Sequence, residues 1–341
     1  MRKAKGILAA RRTSKSSRVF LLLCLAFFAG GGAAHALPAA GFLFSEDTIA
    51  LEAGFTTMYG QVRQHVYTRY DYLLSRLDWD VKPLLGLGVG GAYKLKTCTL
   101  SLGLAIALPG RCGLIQDYDW AESDEDGDYF YNGVWSHYSS HPSFIKNAFR
   151  IDFDVLFNWT SGPRWRLDYI LGITWQHFSF YATDGFYQYP PTSEPRELSG
   201  LVVSYDTDQI TPVFGLMYSA RIGGGAVWSS VLKFGLIGFG YSYDQHHLRE
   251  LDFMDYYWLQ PYVEVRQALA LDFGNRFGSE LSLFFILYPK TYGYSFVRDL
   301  EDNQLYKLMS SGWARSIFIG GELRIQFTFK KQTPDLSVYE L

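Results

Sequence analysis

Two-residue alternation of polar and apolar side chains recurs along most of this chain, and no other feature limits the fold so tightly. Ile151-Asp152-Phe153-Asp154-Val155 is one such run, and Leu323-Arg324-Ile325-Gln326-Phe327-Thr328-Phe329 is another. Successive side chains of a strand point to opposite faces, so each run carries one polar and one apolar face. Beyond the first 36 residues, no stretch holds the roughly 18 continuous apolar residues of a helical span. Short Gly-rich turns punctuate the runs: Ser161-Gly162-Pro163, Gly223-Gly224-Gly225 and Gly274-Asn275-Arg276. Longer polar segments lie between them. Short turns at one end and long loops at the other are the asymmetry of a membrane barrel whose outer face meets lipid. The 9 Trp, 25 Tyr and 26 Phe suit interfacial girdles of rings. Overall hydropathy is too low for a helical membrane protein.

The pattern predicts ten strands, near 47–66, 72–94, 97–116, 143–160, 164–182, 200–222, 226–243, 256–273, 278–296 and 313–329. Long loops are expected near 67–71, 117–142, 183–199, 244–255 and 297–312. An even count closes a bacterial barrel of this kind. The fold class is therefore all-β: a ten-stranded antiparallel transmembrane β-barrel with long extracellular loops. Strands longer than the roughly 9 to 11 residues of a span imply a barrel that projects beyond the bilayer. We assign 37–329 to the barrel and 330–341 to a polar C-terminal tail.

Residues 1–36 read as a signal peptide. Arg2, Lys3, Lys5, Arg11, Arg12, Lys15 and Arg18 precede an apolar run from Val19 to Ala29, and Ala34-His35-Ala36 forms an A-x-A cleavage site. The apolar run is too short for a membrane anchor. Cys24 follows Leu23, where a lipoprotein would carry a small residue. Seven of the 31 Lys and Arg lie in this segment, which holds no Asp or Glu. Without it, 24 positive residues face 34 negative ones, a net of −10. That balance disfavours nucleic acid, whose phosphates demand basic patches, and favours cationic partners. Cys98 and Cys112 remain in the mature chain. On one strand they would stand roughly 45 Å apart at ~3.3 Å per residue, too far for a disulfide.

The titratable residues gather at the loop end. His65, His137, His141, His177, His246 and His247 all map there. Two shorter patterns are sharper. Asp117 and Asp119 share one face of the third strand, as do Asp244 and His246 on the seventh. A carboxylate beside an imidazole orients it and raises its pKa, making a better general base. A facing carboxylate pair can hold a water molecule. Together they could hydrolyse an amide by direct water attack, with no covalent intermediate. A polar, solvated rim would carry the same dipeptides.

Four segments, in order, resemble the omptin family of outer-membrane aspartyl-type proteases. Ser75-Arg76-Leu77-Asp78-Trp79 is similar to the family's S-x-L-D-W, and Asp117-Tyr118-Asp119-Trp120 to its D-x-D-W. Trp135-Ser136-His137-Tyr138-Ser139-Ser140-His141-Pro142 resembles its W-T-D-x-S-x-H-P loop, and Asp244-Gln245-His246 its D-x-H dyad. The resemblance implies an outer-membrane endopeptidase with its site facing outside. His246, oriented by Asp244, would deprotonate a water that Asp117 and Asp119 position against the scissile carbonyl. Ser139 and His141 would lie nearby. No metal is implied.

The departures are equally informative. Omptins typically cut between paired basic residues and have an acidic pocket for P1, the residue before the cut. Gln64 and Ser242 stand where the resemblance places the two pocket acids. Each charge-assisted hydrogen bond lost to an arginine is worth about 1.5–3 kcal/mol, so these substrate-binding positions predict a P1 preference shifted from Arg. Ser136 and His137 replace the usual Thr and Asp of the loop signature. Trp175-Gln176-His177-Phe178-Ser179 lacks the Glu and Arg of the fifth-strand signature. The family engages lipopolysaccharide with basic residues in that region. Lipopolysaccharide is thus a partner for activity by resemblance, but its basic motif is not recognisable here.

Other readings are less supported. Glu122-Ser123-Asp124-Glu125-Asp126-Gly127-Asp128 could offer oxygens to Ca²⁺ but lacks a full twelve-residue loop, and reads better as a solvated acidic loop. The sequon Asn158-Trp159-Thr160 abuts a periplasmic turn. An alternative from another class is an adhesin or host-surface binder on an omptin-like barrel, motivated by the lost acids and by Tyr129-Phe130-Tyr131 and Phe186-Tyr187-Gln188-Tyr189. A lipid A acyl hydrolase would need a lipid-facing Ser or His near the membrane boundary, whereas the Asp/His cluster faces the lumen. The expected partners are peptide or protein substrates, cationic ones favoured, and outer membrane lipid.

Overall fold

The computed structural model describes residues 47–67, 72–123, 129–131, 134–189, 192–223, 225–274, 276–301 and 303–330. The expected signal peptide 1–36, residues 124–128 of the acidic run and the expected tail beyond Lys330 lie outside them. The described residues hold strands and no helix. Ten barrel strands run antiparallel. They are β1 (Thr48–Tyr67), β2 (Leu73–Lys94), β3 (Cys98–Ala107, continued by Gly110–Asp119), β4 (His137–Ser161) and β5 (Trp165–Thr183). They continue as β6 (Leu201–Gly223), β7 (Ala226–Gly235, continued by Phe239–His246), β8 (Leu251–Trp258, continued by Tyr262–Asp272), β9 (Phe277–Asp299) and β10 (Leu305–Lys330). Each pairs with its neighbours in sequence. β10 returns to β1 in a ladder from Thr48↔Lys330 to Val66↔Gly312, which closes the ring and leaves no edge.

The expected architecture is borne out; several boundaries move. β3 runs on to Asp119, β4 starts at His137, β7 ends at His246, β8 starts at Leu251 and β10 starts at Leu305. The segments 244–255 and 297–312, expected as loops, are mostly strand. Among the described residues there, only 247–250, 300, 301, 303 and 304 lie between strands. The long connections are 120–136 and 184–200. Three strands are broken where the ladder cannot continue. Pro109 interrupts β3 and Pro261 interrupts β8, neither offering an N–H. Gly238 interrupts β7, where a Cβ would meet the Gln260 carbonyl at 2.5 Å.

The outer face carries Phe55, Leu85, Leu102, Phe153, Leu171, Phe214, Leu269, Leu283 and Ile319, all exposed. This apolar belt is where lipid lies. Trp159 stacks on Tyr169 at 4.7 Å near the short-turn end, as an interfacial girdle does. Toward the loop end the belt gives way to Lys82, Lys146, Lys290 and Arg315, all exposed. β4 has 25 residues and β10 has 26, so the barrel stands well above the membrane.

The lumen is filled in layers. Level with the lipid belt, inward charges neutralise one another. Arg150 meets Glu264 at 2.6 Å, Lys233 meets Asp154 at 2.7 Å and Arg266 meets Glu322 at 2.6 Å. Toward the loop end an apolar layer follows, with Val62, Trp79, Ile115, Phe180, Tyr205 and Phe318 buried together. Trp79 is wholly buried, its ring 5.5 Å from Tyr205 and 5.2 Å from Phe180. Among the described residues these two layers plug the lumen, and it opens into a cavity beyond the apolar one. Cys98 and Cys112 are buried and free.

Candidate active site

Beyond the Trp79 layer the barrel opens into a cavity of ≈ 730 Å³. Asp117, Asp119, Asp244 and His246 all line it. Strand geometry accounts for their convergence. Two-residue spacing puts each pair on the inner face, and β3 and β7 stand on opposite sides of a ten-membered ring. Across β3, Leu77 and Ser75 of β2 sit level with Asp117 and Asp119. On the other wall, Phe253 and Leu251 of β8 sit level with Asp244 and His246. The cavity lies past the lipid belt, on the extracellular side.

His246 Nε2 donates to Asp244 Oδ2 at 3.1 Å. That bond fixes the tautomer, with the proton on Nε2 and the lone pair on Nδ1. Phe253 packs edge-on against the imidazole, 5.2 Å between centroids. Burial disfavours the imidazolium, but the charge and hydrogen bond of Asp244, joined by Asp117, outweigh it and hold the His246 pKa above its ordinary value. Burial, reinforced by the Asp119 charge, pushes the Asp117 carboxyl up to about 7. Ser75 Oγ approaches Asp117 Oδ1 at 3.5 Å, and Arg249 stands 3.6 Å from Asp119. The cavity thus holds a base that gains a proton readily and an acid that keeps one near neutrality.

The other expected positions sort cleanly. His137, Ser139 and His141 line the cavity, with Ser139 level with Asp117 across the β3–β4 ladder. His141 Nδ1 donates to the Asp184 carbonyl. Burial lowers its pKa, which keeps the ring neutral. It therefore tethers the 184–200 connection to β4. Phe186–Gln188 pairs there with Tyr138–Ser140, setting Tyr187 and Tyr189 on the rim. The remaining histidines lie elsewhere. His177 Nδ1 stands 3.2 Å from Asp208 and His247 Nε2 2.7 Å from Ser204 Oγ, while burial and the nearby Arg63 push the His65 pKa down to about 3. None of these three lines the cavity.

Gln64 and Ser242 converge on Asp255, which lies in a stretch that the alternation pattern assigns to a loop. Gln64 Nε2 donates to Asp255 Oδ2, and Ser242 Oγ donates to the same oxygen at 3.2 Å. Asp255 is level with Ser242 across β7 and β8 and lines the cavity. Burial pushes its pKa up to about 6. The alternation Phe253–Asp255–Tyr257 could have placed it on the inner face, had 251–255 been read as strand. Arg249 and Ser295 also line the cavity and were not anticipated. No group of three or more His, Cys, Asp or Glu suited to a metal occurs among the described residues.

Fold and cavity together define a Gram-negative outer-membrane β-barrel whose polar site opens to the exterior. The Omptin family model matches residues 45–286, and the chain belongs to that family of outer-membrane proteases. Among solved structures it resembles the outer membrane protease OmpT from Escherichia coli, with a TM-score of 0.75 at 18% identity over 84% of this chain and 98% of that one. The outer membrane protein OprG from Pseudomonas aeruginosa aligns with a TM-score of 0.38 at 9% identity, over 84% and 97% of the two chains. No curated protein matches the chain.

Proposed function

We propose that the protein is an endopeptidase that hydrolyses peptide bonds with a water molecule activated by His246 and Asp244. The observation that carries this reading is the convergence of the Asp244–His246 pair and of Asp117 and Asp119 on opposite walls of one ≈ 730 Å³ cavity. His246 takes a proton from the water at Nδ1 as the water oxygen adds to the scissile carbonyl carbon. Asp244 stabilises the imidazolium. Asp119 orients the water, and Asp117, keeping its proton near neutrality, donates to the developing oxyanion. The imidazolium then passes its proton to the departing amine as the C–N bond breaks.

Cationic peptides suit a mature chain with excess negative charge. With neither Gln64 nor Ser242 acidic, a P1 preference other than arginine follows. Lipopolysaccharide is tested as a cofactor because the family resemblance implies it, although Trp175 and His177 on β5, where the family's basic motif would lie, are engaged with Asp208.

The test is digestion of a diverse peptide mixture by the barrel folded in detergent, with and without lipopolysaccharide, read by mass spectrometry. Cuts should disappear in His246→Ala. Cuts unchanged in that variant refute the reading. The aromatic rim, with Tyr189 half exposed and 4.4 Å from the His137 ring, favours a second reading as a host-surface binder. Surface binding that survives Asp117→Ala and His246→Ala, with no cuts from the folded wild type, would select it.

A further inference from the structure

Asp117 and Asp119 share the inner face of β3, two residues apart, and both line the cavity. Two carboxylates that close do not both ionise cheaply, so one keeps a proton and the other carries the charge. The proposed reaction needs a fixed assignment, with an anion at Asp119 to orient the water and a proton at Asp117 to give. Burial begins that assignment: Asp117 is 8% exposed, whereas the Asp119 side chain is 21% exposed. The second contribution comes from across the mouth. Among the described residues that line the cavity, Arg249 is the sole Lys or Arg. It sits in the turn between β7 and β8, three residues after His246, and its N–H donates to the His246 carbonyl at 3.1 Å. Glu250 follows with φ 53°, and its carbonyl accepts from the Leu300 N–H at 2.9 Å. The backbone is thus held on both sides of Arg249, and Nη2 reaches to 3.6 Å from Asp119 Oδ2 on the opposite wall.

A half-exposed ion pair of this kind adds little to stability. Its effect is on where charge resides. A guanidinium does not deprotonate, so it favours an anion most strongly at the carboxylate it touches. The same charge opposes protonation of His246. His246 faces Asp244 along β7, Asp117 from β3, His141 from β4, His247 next in the chain and Arg249 from the turn, with Phe253 of β8 against its ring. Asp117 faces Asp119, His246, Asp244 and Arg249, with Ser75 of β2 beside it. In both sets Arg249 is the one permanent cation. We propose that Arg249 is a positioning residue: standing against Asp119, it fixes the negative charge on that member of the pair, leaves the proton to Asp117 and biases His246 toward the neutral imidazole that accepts a proton from water. The effect on rate rests on the endopeptidase reading; the placement of charge does not.

Two measurements on the folded full-length barrel separate these, with Arg249→Gln and Arg249→Lys compared with wild type. Position 249 is exposed in a turn, so both variants should keep the heat-modifiable mobility of the wild type on gels. First, NMR of ¹³C-labelled histidine follows the His246 signal, identified by its loss in His246→Ala, against pH. In Arg249→Gln it should titrate roughly 0.5 pH unit higher than in wild type, the scale of one charge at a partly solvated site. Arg249→Lys should return it toward the wild-type position. Second, peptide cleavage is followed across the same pH range. In Arg249→Gln the acid limb should rise in step with the NMR titration, and kcat near pH 7 should fall roughly tenfold with little change in KM, as for a group that positions and does not bind. Arg249→Lys should restore most of the rate. A His246 titration unmoved in Arg249→Gln overturns the proposal whatever the rates do. A moved titration with no cleavage by the wild type supports the charge placement and counts against the endopeptidase reading alone. A rate loss that Arg249→Lys leaves unrestored, with the titration restored, overturns the positioning role.

Discussion

His246 and Asp244 stand two residues apart on β7 and meet at 3.1 Å, Nε2 to Oδ2, inside a cavity that also holds Asp117. The imidazole is buried, yet its pKa is raised, because the adjacent carboxylate outweighs the burial. The catalytic form in the proposed reaction is the neutral imidazole. Activity is therefore expected to rise with pH as His246 loses its proton, with an acid limb above the ordinary histidine value of about 6.5, and to fall again as Asp117, raised to about 7, ionises. In Asp244→Asn, burial acts without its counterweight. The acid limb should move to lower pH and kcat/KM should fall by about 10²–10⁴, the usual worth of a positioned base. The pH–rate profiles of the two proteins decide this. A lower rate with an unmoved limb would remove Asp244 from control of the imidazole.

Lys233 is 3% exposed and meets Asp154 at 2.7 Å in the ionic layer. Removing one partner of a buried pair leaves an uncompensated charge, which costs about 3–5 kcal/mol. Lys233→Met should lower unfolding stability in urea by that order. Lys233→Met combined with Asp154→Leu should recover most of the loss. Equal instability of single and double variants would show that packing, not charge, governs this layer.

Gly185 adopts φ 100°, and a Cβ there would meet the Ser140 carbonyl at 2.2 Å and His141 Nδ1 at 2.7 Å. Gly185→Ala should therefore lift the 184–200 connection away from β4 and carry Tyr187 and Tyr189 off the rim. The strands below are untouched, so thermal stability of the barrel should change by less than about 1 kcal/mol, the scale of a surface loop change. KM for peptides should rise more than kcat falls, because the rim binds and does not react. A kcat loss at unchanged KM would contradict that placement.

The membrane-level fold was legible because lipid outside and charge inside give alternation its full contrast: Arg324 and Gln326 face the lumen while Leu323 and Ile325 face lipid. Toward the loop end that contrast fails. On Leu251–Trp258, Asp255 faces the cavity while Asp252, held by Arg298, sits on the other face. Carboxylates on both faces abolish the two-residue signal, so the pattern assigns this strand to a loop and misses Asp255. The pairs Asp117/Asp119 and Asp244/His246 were legible because i and i+2 suffice to place them on one face. The His141 role was not, since its partner is a backbone carbonyl 43 residues away that only the folded connection brings near.

Asp117 ties function to stability with a definite sign. Its carboxyl is pushed up to about 7 in the folded barrel, first by burial and then by the Asp119 charge. An unfolded Asp titrates near 3.9. Between those values the folded state binds the extra proton, so lowering the pH through 7 toward 4 stabilises the barrel, and raising it removes that gain. Above pH 7 the ionised carboxylate is a net cost, because each unit of displacement is worth about 1.4 kcal/mol, reduced where cavity water screens the charge. Asp117→Asn keeps the shape and removes the charge. It should be about 1–3 kcal/mol more stable than wild type at pH 8 and nearly equal to it at pH 4, while losing most peptidase activity near pH 7, where wild-type Asp117 still holds its proton. Urea unfolding at the two pH values, with peptide cleavage assayed alongside, measures this. An Asn variant no more stable at pH 8 than at pH 4, relative to wild type, would mean that Asp117 pays no penalty for its position, and the proton it supplies to the proposed oxyanion would have to come from another group.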